Sequence, residues 1–332
     1  MSSKRPTLAD VAADAGVSKA AVSRVINDAP GVADQTRARV REVISRLGYR
    51  PDPVARALAA GRGEVVEMVV VEDAATFGTS PYYGRVTAGI LQELAGSNLQ
   101  LQVHLVDESG VAALLERIAG TVSVGAVLLN VPPERACEFY ARCDRVVSMA
   151  TRAPAVPFVG VDNAGGAYAA VRHLFETGRR RIAALHGPEG NTDADGRREG
   201  YRRAVHEFGL PDVSVTGTFH RDSGYDLTAR LLHREPALDA IFAASDSQAA
   251  GAMQALADAG RPVPQDVAIV GFDDSVIALC TTPPMSSVRQ PVEEMAAAAV
   301  RALVKRQFAA HWRGEFPAVL QVRRSSGPSG HS

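Results

Sequence analysis

Apolar positions in the first fifty residues repeat every three to four residues, the period of an amphipathic helix. Leu8, Val11, Ala12 and Ala15 fall on one face. Thr7 stands before them as a candidate cap, with Asp10 three residues on to complete a capping box. Gly16 suits the left-handed backbone that closes a helix. Ser18 then opens a second helix whose stripe is Val22, Val25 and Ile26. The link Gly16-Val17 is so short that the two helices must turn sharply on each other, which is helix-turn-helix geometry. A third helix is predicted from about Asp34 to Leu47, with Val40, Val43, Ile44 and Leu47 inward and Arg37, Arg39, Arg41 and Arg46 outward. After Arg50-Pro51-Asp52-Pro53, residues Val54 to Gly61 read either as a two-turn helix or as a linker.

From about residue 63 the pattern changes. Apolar runs predict strands at Val65–Val71, Leu99–Val106, Gly125–Asn130, Val146–Met149, Pro157–Val161, Ile182–His186, Val213–Thr216, Ala240–Ala243, Val267–Gly271 and Val319–Val322. Helical patterns such as Ala167–Glu176, Ala194–Glu207 and Ser247–Ala259 separate them. The rhythm is that of parallel sheets with crossover helices, and its length suits two doubly wound lobes. The predicted fold class is therefore α/β, with a small all-α domain in front. Several strands end on polar residues: Asp73, Asp162-Asn163, Ser245-Asp246 and Asp273-Asp274. Ligands bind at such carboxyl ends, although each aspartate taken singly can equally cap a helix or bridge the lobes.

Charge sharpens the division. The whole chain of 332 residues has a formal net charge of -1, which alone argues against a polyanionic partner. Residues 1–62, however, carry eleven Lys and Arg against six acids, while the rest carries 25 against 31. A basic module thus precedes an acidic body, the asymmetry expected of a nucleic-acid-facing domain. In a helix-turn-helix the second helix enters the major groove. Lys19 and Arg24 can donate to guanine, and the Ala20 methyl can touch thymine. Ser18, Ser23 and Asn27 lie on the same polar side. The N-terminus has no apolar signal core and no run is long enough to span a bilayer, so a cytoplasmic location is expected. The three cysteines and eight histidines show no metal spacing, and no phosphate-loop, GxSxG or HExxH motif occurs. Neither cofactor nor metal nor catalytic residue is expected.

The run Pro6-Thr7-Leu8-Ala9-Asp10-Val11-Ala12, then Gly16-Val17-Ser18, Val22-Ser23-Arg24-Val25-Ile26-Asn27 and Gly48-Tyr49-Arg50-Pro51 closely resembles the N-terminal signature of the lactose-repressor (LacI/GalR) family. The likeness continues in Val161-Asp162-Asn163, Gly178-Arg179-Arg180-Arg181-Ile182-Ala183, Arg197-Arg198-Glu199-Gly200-Tyr201 and Val270-Gly271-Phe272-Asp273-Asp274. It implies a ligand-controlled transcriptional regulator, most simply a homodimeric repressor on a pseudo-palindromic operator. Its core would be like that of periplasmic binding proteins. The implied organisation is a helix-turn-helix domain at 1–50 and a hinge helix at 51–62. One lobe would span 63–161 plus about 290–320, the other 162–289 plus about 321–332. By resemblance Leu58 is the minor-groove wedge, and Thr7, Leu8, Tyr49 and Ala55 join the DNA-contacting set. The resemblance makes Arg197 the effector arginine, Asp273 the acidic partner of ligand hydroxyls, Phe219 the stacking ring and Tyr82 and Tyr83 the pocket aromatics, with the effector a carbohydrate.

Some positions depart from the family pattern. Ala33 replaces the usual cap of the third helix, so Asp34 is the expected cap. Asp52 stands where the hinge often has Asn. Ser245 and Ala150 stand where sugar-binding members often carry Asn and Asp. The segment Ala74–Ser80 is read as a long loop. The tail from Arg324 has no heptads, which favours a dimer over a tetramer.

Overall fold

The computed structural model describes residues 6–26, 30–49, 64–306 and 312–327. Its first part is a bundle of α1 (Leu8–Ala15), α2 (Lys19–Ile26) and α3 (Asp34–Leu47). The capping box at Thr7 forms: its hydroxyl accepts from Asp10 N, and Thr7 N donates to the Asp10 carboxylate at 2.7 Å. Gly16 takes φ +64° and turns the chain, a conformation that strains any residue with a Cβ. Ser18 Oγ accepts from Ala21 N at 3.1 Å and opens α2. Val11, Val22 and Val40 are fully buried, with Ala12, Ala15, Val25 and Val43 around them. A salt bridge of 2.8 Å from Arg46 to Asp14 ties α3 to α1. Asp34 is not the cap of α3: Ala33 holds that position without a side-chain hydrogen bond. As the first helical residue, Asp34 instead places its charge at the positive end of the helix dipole.

The body contains two six-stranded sheets. The first consists of β1 (Val65–Val71), β2 (Gln100–Val106), β3 (Gly125–Leu129), β4 (Val146–Met149), β5 (Phe158–Val161) and a late strand, β11 (Arg313–Phe316). Their order is β11-β5-β4-β3-β1-β2, all parallel. The second sheet has β6 (Ile182–His186), β7 (Val213–Thr216), β8 (Ala240–Ala243), β9 (Ala268–Asp273), β10 (Ser286–Arg289) and β12 (Val319–Gln321). Its order is β12-β10-β9-β8-β6-β7, with only β12 antiparallel. Parallel sheets need cover on both faces, and helices supply it. On the first sheet these are α4 (Ala74–Thr79), α5 (Pro81–Leu94), α6 (Val111–Ile118), α7 (Pro133–Arg142) and the late α13 (Val292–Lys305). On the second they are α8 (Asn163–Glu176), α9 (Thr192–Glu207), α10 (Arg221–Arg234), α11 (Asp246–Asp258) and the short α12 (Val276–Cys280).

The ten expected strands are all present. Two more, β10 and β11, went unpredicted because Ser286-Ser287 and Arg313-Gly314-Glu315 are not apolar. Ser286 and Ser287 are nonetheless fully buried, their hydroxyls bonded to Arg323 O and to Asp246. The expected loop at 74–80 is the helix α4. Asp73 caps it, accepting from Thr76 N at 2.9 Å. The chain passes between the sheets three times, and α13 returns to pack on α5. Gly89 makes that return possible: a Cβ there would lie 2.3 Å from Glu293 O, so the two backbones touch. The arginine run at 179–181 braces the second sheet, Arg179 bonding the carbonyl of Asp266 at 3.2 Å and Arg181 pairing with Glu235. No described helix is long and apolar enough to cross a membrane.

Candidate functional site

In a doubly wound sheet the crevice opens where neighbouring crossovers leave on opposite faces. Here those points are between β1 and β3 and between β6 and β8. The carboxyl ends of both sheets face one cavity of about 790 Å³. Glu72, Asn130 and Ala150 follow β1, β3 and β4; Pro188, Thr218 and Ser245 follow β6, β7 and β8; Asp273 ends β9. Three of these, Asn130, Ala150 and Asp273, have positive φ (55°, 62° and 111°). Such strain persists only where the surroundings enforce it, and it gathers at binding sites.

All six residues proposed from sequence for the effector line this cavity: Tyr82, Tyr83, Arg197, Phe219, Ser245 and Asp273. Arg197 projects from α9 and is 4% exposed. Its Nε donates to Asn163 Oδ1 at 2.8 Å, and Nη1 donates to Ala244 O and stands 3.6 Å from Asp273 Oδ1. Its plane lies against Phe272 at 3.8 Å and Phe219 at 5.4 Å. The guanidinium is therefore fixed in place before any ligand arrives. Asp273 also accepts from the Gln290 amide. Burial pushes its carboxyl above the usual carboxylate range, and Arg197 and Gln290 oppose that rise.

The aromatic wall comes from α5. Burial and then the charges of Asp193 and Asp273 push the Tyr82 phenol above its ordinary range. Tyr83 bonds Glu72 at 2.7 Å and receives the Asn130 amide at 2.8 Å, so its hydroxyl is committed to the protein. The same holds for Ser245. Its hydroxyl donates to Phe219 O at 2.6 Å and accepts from Gln248 N at 3.0 Å, capping α11. Ser245 thus shapes the wall by holding the Phe219 loop.

The other aspartates at strand ends have structural duties. Asp162 caps α8 through Gly165 N at 2.8 Å. Asp246 is fully buried beneath Asp273 and accepts from Ser275 N at 2.6 Å. Burial and the neighbouring Asp273 charge raise its carboxyl above its ordinary value. Asp274 pairs with Arg323 at 2.6 Å.

Sequence reasoning missed Asp193, Arg85 and Gln290, all of which line the cavity. Asp193 accepts from Asn163 at 2.9 Å, and burial raises its carboxyl while Arg197 lowers it. Its only signal was a position in the first turn of a helix, four residues before Arg197. Arg85 and Gln290 carried no signal, being brought in by a helix face and by the late crossover. Among the described residues no group of three or more His, Cys, Asp or Glu is arranged to hold a metal ion.

In the bundle, Ser18, Lys19, Ala20 and Arg24 are exposed and Ser23 is half-buried, on the side of α2 away from Val22 and Val25. Thr7 is exposed, whereas Leu8 and Tyr49 pack against the bundle core. Asn27, Ala55 and Leu58 lie outside the described residues, as does the whole segment 50–63.

A helix-turn-helix bundle carried on a two-lobed core with a cleft of this kind defines a ligand-responsive DNA-binding regulator. Comparison with known proteins makes the class specific. Residues 7–52 match the family model described as bacterial regulatory proteins, lacI family. Residues 171–326 match that of a periplasmic binding protein-like domain. The chain is 37% identical over 318 residues to the HTH-type transcriptional regulator CelR of Thermobifida fusca, covering 91% of this chain and 92% of that one. It is 33% identical over 309 residues to catabolite control protein A of Priestia megaterium, with 90% and 92% covered. The solved structure of a CelR–cellobiose complex superposes with a TM-score of 0.74 at 34% identity, spanning 97% of this chain and 100% of that one. The chain belongs to the lacI family of bacterial regulatory proteins, and it is a transcriptional regulator.

Proposed function

We propose that the protein represses transcription as a homodimer on a pseudo-palindromic operator, and that a neutral di- or oligosaccharide in the cleft controls its operator affinity. One observation carries the ligand class. The cavity is lined by two carboxylates, Asp193 and Asp273, beside the buried guanidinium of Arg197, while its other inner guanidinium, Arg85, is already forked onto Glu293. A phosphorylated ligand would add negative charge beside carboxylates whose ionised form burial already disfavours. Neutral hydroxyls, in contrast, can donate to both carboxylates and accept from Arg197, whose Nη2 has no hydrogen-bond partner among the described residues. Tyr82 and Phe219 offer flat faces for pyranose rings, and about 790 Å³ holds more than one ring. The similarity to the CelR–cellobiose complex supports the same class.

For DNA, Lys19 and Arg24 are the base-reading candidates and Ser18, Ala20, Ser23 and Asn27 their neighbours. Thr7, Leu8, Tyr49 and Ala55 position the bundle and hinge, with Leu58 as the wedge. Dimer formation is supported by apolar residues left in water: Leu91 on α5 is 52% exposed, and Val103 and Leu105 on the edge strand β2 are 42% and 38% exposed. An open apolar edge of this kind invites a partner copy.

Two measurements test the reading. Calorimetry on the full chain should register cellobiose and not its phosphorylated counterpart; binding of the phosphorylated sugar alone would reject the ligand class. Selection from random duplexes should return an inverted repeat, and recovery of a lone half-site would reject the symmetric dimer.

A further inference from the structure

Arg85 projects from α5 on the first lobe, and its side chain is 18% exposed. Its Nε and Nη2 grip the two oxygens of Glu293 at 2.7 and 2.8 Å, a fork-to-fork pair of the strongest geometry available to a carboxylate. Glu293 starts α13, whose backbone lies against α5 at Gly89. Glu293 therefore travels with α5, and it aims the guanidinium before the second lobe closes. The remaining donors reach toward that lobe. Nη1 donates to Asp273 O at 2.9 Å, and Nη2 to Gln290 O at 3.1 Å. Asp273 ends β9 of the second sheet with φ +111°, so its peptide needs an outside hold to keep that orientation. Gln290, held at its own carbonyl by Arg85, passes its amide to the Asp273 carboxylate.

We propose that Arg85 is a positioning residue that latches the second lobe to the first and so sets the angle at which Asp273 meets the ligand. The inference rests on the cleft being the effector site. Other described bonds across the cleft are longer: Thr76 Oγ1 to His220 Nε2 at 3.5 Å, Arg152 N to Thr192 Oγ1 at 3.2 Å, and Thr192 Oγ1 to Ala150 O at 3.3 Å. When the lobes rotate apart, Asp273 O leaves Nη1 while the Glu293 fork stays made. Arg85 is then the element that biases the lobe equilibrium toward closure, and the ligand adds to that bias.

The test is hydrogen exchange on the full chain, with and without saturating cellobiose as the probe. Without ligand, Arg85→Ala should speed exchange in residues 271–276, with Arg85→Lys intermediate because it keeps the Glu293 pair. Saturating cellobiose should restore the parent's protection, and its affinity should be about tenfold weaker, the factor carried by one hydrogen bond from a charged donor. Unchanged exchange without ligand overturns the latch. Faster exchange that cellobiose does not restore shows a local packing role and overturns it as well. If the parent chain binds no cellobiose, the proposed ligand is rejected, and the ligand-free exchange of the two variants still decides the latch.

Discussion

The bundle and the cleft solve opposite problems. In the bundle, described burial is entirely apolar, a handful of valines and alanines, and Ser18, Lys19 and Arg24, proposed to face DNA, are left in water. In the cleft, the working groups are the buried ones. Arg197 is 4% exposed, and the Asp193 and Asp273 carboxylates are pushed up by burial. An exposed Lys or Arg can seek a phosphate or a base edge as it swings, because water keeps its charge stable. A buried guanidinium must be held by neighbours, since desolvation makes any misplacement expensive. The comparison teaches that removing a bundle contact should cost only that contact, whereas removing a cleft charge should strand its partners too.

The largest expected effect follows directly. Arg197→Ala leaves Asn163 Oδ1 without its donor and Asp273 without its opposing charge in a poorly solvated site. Removing one partner of such a pair costs about 3–5 kcal/mol, so cellobiose binding in calorimetry should fall beyond detection while DNA binding survives. Equal loss of both activities would break the division between the regions. Next comes Lys19→Ala on the exposed face of α2. It should weaken operator binding by about 1–3 kcal/mol in a titrated mobility shift and leave cellobiose affinity unchanged. An effect confined to overall stability would show that α2 is a packing helix and not a reading helix.

A third effect, seen only on acidification, concerns His186 at the end of β6. Its ring is 2% exposed, neither nitrogen has a hydrogen-bond partner among the described residues, and it meets Tyr201 edge-on. Burial, helped by Arg198 and Arg202, lowers its pKa from 6.5 to about 4. Between those values the unfolded ring binds a proton and the folded ring does not. Stability from this group is therefore full above pH 6.5 and is lost as the pH falls toward 4, by up to ~3 kcal/mol. His186→Phe should flatten that part of the melting-temperature profile relative to the parent. Parallel profiles would remove the histidine from the account and leave the carboxylates responsible.

The bundle was legible because its determinants are local. The cap at Thr7, the turn at Gly16 and the stripe Val22-Val25-Ile26 each act within a few residues, and all three form. One local inference failed, at Asp34, where one residue of phase separates a cap from the first helical position. In the core, apolar strands announced themselves, and so did the polar residues that end them. The strands β10 and β11 did not: the burial of β10 depends on Arg323 O, Asp246 and the neighbouring β9, and β11, alternately exposed, is a strand only by pairing with β5. Arg197 and Asp273 were visible through family resemblance, while Asp193 and Arg85 were not.

By itself the sequence determined the two modules, their opposite charges, the recognition helix and the α/β rhythm of the body. These rest on interactions between residues close in the chain or on simple counting. Only the tertiary structure decided that the Ser245 and Tyr83 hydroxyls are already spent, that Asp193 joins Asp273 beside Arg197, and that Arg85 spans the lobes. Those outcomes depend on which strand ends the crossovers bring together. A hydroxyl or carboxylate has no fixed role until its neighbours, as much as 208 residues away for Arg85 and Glu293, have taken or left its hydrogen bonds.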